Sequence, residues 1–220
     1  GASTKTDPTR ETWISRITPE RTVGVYLGIL VVVAIVAQAI SSIPPSEEGS
    51  PIETFTTGLL WMLSFVALLS AFHASSRPRD MWFWLASSAG LAALAIDEAI
   101  GVHERTEPAG LNDDFVKVIL WLATPLLLRF VARMDGRPFV ARIFAVGYLV
   151  HTLYLVVELG DGEFFTLPPS PETLKWSEEI FELLFLTLYM AGFALRYLRA
   201  VAAQRKSAGA ESGTGGTSSP

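Results

Sequence analysis

Three apolar stretches of this sequence are interrupted by groups that carry chemistry. The first ends Ala95-Ile96-Asp97-Glu98-Ala99-Ile100-Gly101-Val102-His103-Glu104, the second holds His151 and Glu158, and the third begins Trp176-Ser177-Glu178-Glu179-Ile180-Phe181-Glu182. Seven carboxylates here face few bases: Arg105, Lys117 and Lys175 are near the ends of these stretches, and none lies well inside. Like charges in close quarters cannot all ionise. Two arrangements relieve them: shared protons, or a bound cation. Carboxylates joined by one or two imidazoles suit Fe, Mn or Zn, whereas oxygen-only sites suit Ca or Mg.

Helical spacing sorts these residues onto faces. At about 100° per residue, positions seven apart return to within roughly 20°. Asp97 and Glu104 therefore share a face, as do His151 and Glu158. Glu178, Glu179 and Glu182 fall within an arc of about 100°. Asp97, Glu104, His151, Glu158, Glu178 and Glu182 form the expected metal-ligand set, with a divalent Fe, Mn or Zn ion as cofactor. Glu98 and Glu179 are the spare carboxylates that would move protons. His103 points roughly 120° away from Asp97 and is not placed among the ligands. The solvated-end reading applies to Glu104, Glu178 and Asp161, and the helix dipole alone favours acids at Glu178 and Glu179. Asp97, Glu158 and Glu182 resist it, because each sits among apolar neighbours.

The elements that position these groups are membrane helices. A bilayer core of roughly 30 Å takes about 20 apolar residues in a helix, and six stretches qualify. They run from about Val23 to Ile43, Phe55 to Ala74, Met81 to Glu104, Asp114 to Met134, Val140 to Leu159, and Pro171 to Gln204. Thr18 and Ser170 are the expected N-caps of the first and last, and Asn112 or Asp113 caps the fourth. Gly90 and Gly147 read as close-packing points between helices, and the tryptophans as interfacial anchors. The expected fold is an all-α integral membrane bundle of six transmembrane helices. Residues 1–18 precede it, 19–204 form it, and 205–220, rich in Gly, Ser and Thr, are expected to be a disordered tail.

Lys and Arg set the orientation. They gather in the N-terminal segment, at Arg77 and Arg79, at Arg133 and Arg137, and from Arg196 to Lys206; the alternate loops carry acids instead. One topology satisfies every loop: both termini cytoplasmic, acids at the outer face, in the cell (inner) membrane. The lipid bilayer is the expected partner. The absence of a basic patch with interleaved aromatics argues against nucleic acid, and no cysteine is present to make disulfides or thiolate metal sites. Oligomeric state is not readable from the chain.

The Asp-Glu…His-Glu helix followed by a Glu-Glu-x-x-Glu helix resembles a pattern in uncharacterised bacterial multi-pass membrane proteins, over roughly the third to sixth helices. That resemblance brings no activity with it. Inward acids and histidines follow the general logic of di-iron bundles, but the Glu-x-x-His signature is absent. The late His-x-x-x-His of ceramidase-like hydrolases is absent too. Three functions are compatible with the pattern. One is a metal-dependent enzyme open to the outer leaflet, for which amphiphiles are the natural substrates. The others are a cation or proton transporter or channel, and an accessory membrane subunit.

Overall fold

The computed structural model describes residues 18–44, 49–74, 77–100, 113–135, 138–160 and 170–213. Among these the chain is all-α, with six helices: α1 (Pro19–Ile40), α2 (Pro51–His73), α3 (Pro78–Ile100), α4 (Asp113–Asp135), α5 (Pro138–Leu159) and α6 (Pro171–Gly213). Five of them are long and apolar enough to cross a bilayer. In α4 the apolar stretch is shorter, Val118–Val131, so length alone supports five spans rather than the expected six. Leu122 and Leu126 of that stretch are nonetheless exposed, as suits a helix lying against lipid.

Local chemistry sets the helix starts. The Thr18 side chain accepts from Arg21 N, with Pro19 in the first helical turn, where a missing N–H costs nothing. Ser170 does the same for Thr173 N. Both caps match the sequence reading. The start of α2 falls earlier than expected, at Pro51 rather than Phe55. Ser50 and Glu53 form a reciprocal capping box there, and the polar residues of that turn hide it from a search for apolar runs. Gln38, buried near the end of α1, then ties the connection: its side chain donates to Ile43 O at 2.8 Å and accepts from Ile52 N at 3.2 Å.

The tail expected to be disordered from residue 205 differs at its start. The last helix continues to Gly213, because Ala202, Ala203, Gln204, Arg205, Lys206, Ala208 and Ala210 are mostly good helix formers. Residues 214–220 lie outside the described residues.

Helices α2 and α6 are the centre of the bundle. The first packs on α3 and α6; the second also takes α5 and α1; α4 rests on α5. Two glycines let α5 and α6 approach closely. A Cβ on Gly147 would stand 2.8 Å from Tyr189 Cε1, and one on Gly192 would overlap the Phe144 ring. Gly147 therefore packs as expected. Gly90 does not: it faces open space. Trp84 is another correction, since it is fully buried rather than interfacial. Its ring lies edge-on to Phe193 and under the Arg196 guanidinium, 4.4 Å from the ring centre. Ser64 Oγ donates to Ser88 O at 2.9 Å and joins α2 to α3.

These contacts fix which helix ends lie together. Arg199 donates to Glu20 at 2.8 Å, and His73 meets the Tyr197 ring edge-on. The start of α1 and the ends of α2 and α6 therefore share one end of the bundle, with Arg77, Arg79 and Arg205 nearby in sequence. The starts of α2 and α6 and the ends of α3 and α5 share the other, and it carries the acids. Among the described residues, most of the acids thus lie at the end of the bundle opposite Arg199.

Candidate functional site

The acidic end is assembled from four helices. Helix α3 brings Asp97 and Glu98, and α2 brings Glu53. The last turns of α5 bring His151, Tyr154 and Glu158, and the first turns of α6 bring Lys175, Glu178, Glu179 and Glu182. The close α5–α6 seam at Gly147 and Gly192 runs up to this end and holds the two acid-bearing faces against each other.

Glu158 is the meeting point. The Glu178 carboxyl lies within hydrogen-bonding reach of it from α6, and the Tyr154 hydroxyl from its own helix. Tyr154 stands four residues before Glu158, on the same face. The Lys175 ammonium is 3.1 Å from Glu178 Oε2. Glu182, one turn deeper, faces Glu98, Glu179, Glu178 and Glu158. Glu179 faces Glu98, Glu53, Lys175 and Glu158. These side chains are all half-buried, so water screens them incompletely.

Five of the eight expected site residues, Glu98, Glu158, Glu178, Glu179 and Glu182, thus lie at the same end of the bundle, and of these Glu158 and Glu178 come within hydrogen-bonding reach of each other. Glu98 is the α3 acid prominent around Glu182 and Glu179, whereas Asp97, one residue and about 100° away, is prominent around neither. His151 takes a different neighbourhood. Its ring stacks on Phe185 with centroids 4.3 Å apart, and its Nδ1 is 3.3 Å from the Tyr189 hydroxyl. Glu104, His103 and Asp161 lie outside the described residues.

Two participants were not singled out by the sequence. Tyr154 is one, though its spacing from His151 and Glu158 places it on their face. Glu53 is the other, and its carboxylate already accepts from Gly49 N at 2.6 Å as part of the α2 cap. Among the described residues, no three or more His, Asp or Glu side chains converge closely enough to hold a metal ion. Glu158 and Glu178 instead meet as a pair, a geometry in which one carboxyl can donate a proton to the other.

The fold and the charge layout define a class: a multi-pass, lipid-contacting helical bundle with acids collected at one end. Within that class, the chain belongs to the family described as domain of unknown function DUF8692, whose model matches residues 24–196. That match takes in four helices whole and most of α1 and α6, and so includes every acid of the acidic end described above. No curated protein matches the chain, and no solved structure does.

Proposed function

We propose that this protein is a six-span protein of the cell membrane, with both termini in the cytoplasm, and that its acidic end is an outward-facing cation-exchange site. In the free site, carboxyls share protons pairwise. A divalent ion of the Fe, Mn or Zn class displaces those protons and draws Glu158, Glu178 and Glu182 together, with Glu98 and Glu179 receiving and passing protons. Asp97, Glu104 and His151 belong to the ligand set suggested by helical spacing, and they become ligands only if binding reorganises the end of the bundle. The supporting observation is the Glu158–Glu178 contact across the α5–α6 seam, with Glu182 facing both of these and also Glu98 and Glu179. Metal binding at such a site releases protons, because ligands bind deprotonated. An enzyme acting on lipid-like substrates would be built on this same site. The test is metal titration of detergent-purified protein with a pH indicator present. Stoichiometric binding with proton release, lost in Glu182→Gln and Glu158→Gln, supports the reading. Binding unchanged in both variants overturns it.

One observation favours a second reading, proton or cation transport. Polar groups continue inward from the acids: His151 meets the Tyr189 hydroxyl, Tyr148 lies beside Tyr189, and Trp121 stacks on Tyr148 while donating to Thr152 at 3.0 Å. A transport path needs such groups across the membrane depth. Proton flux in liposomes that falls at least tenfold in Tyr189→Phe would establish it; absence of flux in the unaltered protein would reject it.

A further inference from the structure

The two halves of α1 are attached to the bundle in different ways. The second half is fixed by buried groups: Ala34 is fully buried, and the buried Gln38 donates to Ile43 O and accepts from Ile52 N at the start of α2. Over residues 20–30, at the end opposite the acids, only Leu27 is buried. A gap of about 160 Å³ lies there, with Thr22 and Tyr26 of α1 on one side and Met62 of α2 and Met190 and Ala194 of α6 on the other. Lipid tails are as apolar as these side chains, so membrane helices associate through packing and hydrogen bonds, and a gap forfeits the packing. Just beyond the gap lies a polar tie. The Arg199 guanidinium of α6 donates to Glu20 at 2.8 Å, and the two side chains are only 16% and 31% exposed. Arg199 also stands 5.9 Å from the centre of the Phe139 ring of α5, so it is the fixed half of the pair and Glu20 is the half that can leave.

Gly24 and Gly28 lie between these two attachments. A Cβ on either would meet nothing within 4 Å, so neither serves to admit a neighbouring helix. Glycine weakens a helix interior relative to alanine and is among the residues at which helices bend. We propose that the first turns of α1 are an arm that swings away from α6, with Glu20 as its latch on Arg199 and Gly24 and Gly28 as its hinge. The swing widens the gap beside Met62, Met190 and Ala194 into a side entrance between α1 and the rest of the bundle. From Gly28 to Arg21 the helix is about 10 Å long, so a bend of about 20° carries Arg21 roughly 4 Å.

The test is double electron–electron resonance on the full chain in lipid nanodiscs, with spin labels on introduced cysteines, since the chain has none of its own. Labels at the exposed positions of Arg21 and Arg205 report the latched end of α1, and labels at the exposed positions of Ile40 and Glu172 report its other end. Glu20→Lys sets two cations against each other and should displace the Arg21–Arg205 distance by roughly 4 Å or more, while the Ile40–Glu172 distance stays as it was. Adding Arg199→Glu reverses the pair and should restore the original Arg21–Arg205 distance. An unchanged Arg21–Arg205 distance in Glu20→Lys would overturn the proposal. So would an equal displacement of the Ile40–Glu172 pair, because α1 would then move as one body, and so would failure of the reversed pair to restore the distance.

Discussion

Gly192→Ala tests the seam that carries the acids. The added methyl would come within 2.6 Å of Phe144 Cζ and 2.8 Å of Cδ1, and would overlap Cε1. Phe144 is itself almost wholly buried and packs edge-on against Phe193, so its ring has little room to retreat. Overpacking of this kind costs about 1–3 kcal/mol. Alanine recovers roughly 0.8–1.0 kcal/mol over glycine within a helix. The net destabilisation should lie between about 0 and 2 kcal/mol, so the single variant decides little. A double-mutant cycle decides more. With Phe144→Ala the obstructing ring is gone, and Gly192→Ala should then stabilise by up to about 1 kcal/mol. The two substitutions should therefore be coupled by at least about 1 kcal/mol, read from reversible unfolding in bicelles. Additivity within about 0.3 kcal/mol would refute the packing argument and, with it, the close α5–α6 approach that sets Glu158 against Glu178.

Two further predictions follow from the ends of the bundle. Ser50→Ala removes half of the reciprocal cap of α2 and should cost about 1 kcal/mol, measured in the same unfolding assay. The absence of native cysteine makes topology directly readable. Cysteine placed at exposed Glu172 should react with a membrane-impermeant maleimide in intact cells, and cysteine at exposed Arg205 only after the membrane is opened. The reverse pattern would invert the proposed orientation.

The helices and the separation of charge were legible because both are repeated along the chain. Every apolar stretch of membrane length announces a helix, and every loop repeats the Lys/Arg or acid bias, so no single residue had to be read correctly. The site was legible only in part. Heptad spacing put His151 on the Glu158 face, yet its ring is held by Phe185 and Tyr189; spacing within a helix cannot say which neighbour fills the facing space. On α3, apolar neighbours drew attention to Asp97, and the structure also sets Glu98 near Glu182 and Glu179. Trp84 shows the reverse error, where residue type suggested an anchor and packing made it core. Gly90 and Gly147 look alike in sequence, and only Gly147 has a helix opposite it.

We propose that the carboxyls at the acidic end exchange protons for a divalent cation. The most direct measurement is elemental analysis of the full chain purified in detergent without chelator, combined with proton release on titrating metal back into the stripped protein. The expected result is about one transition-metal ion per chain, protons released on rebinding, and loss of both in Glu182→Gln and Glu158→Gln variants that remain folded. A chain that neither carries nor binds metal, or one that binds it equally well in both variants, would contradict it.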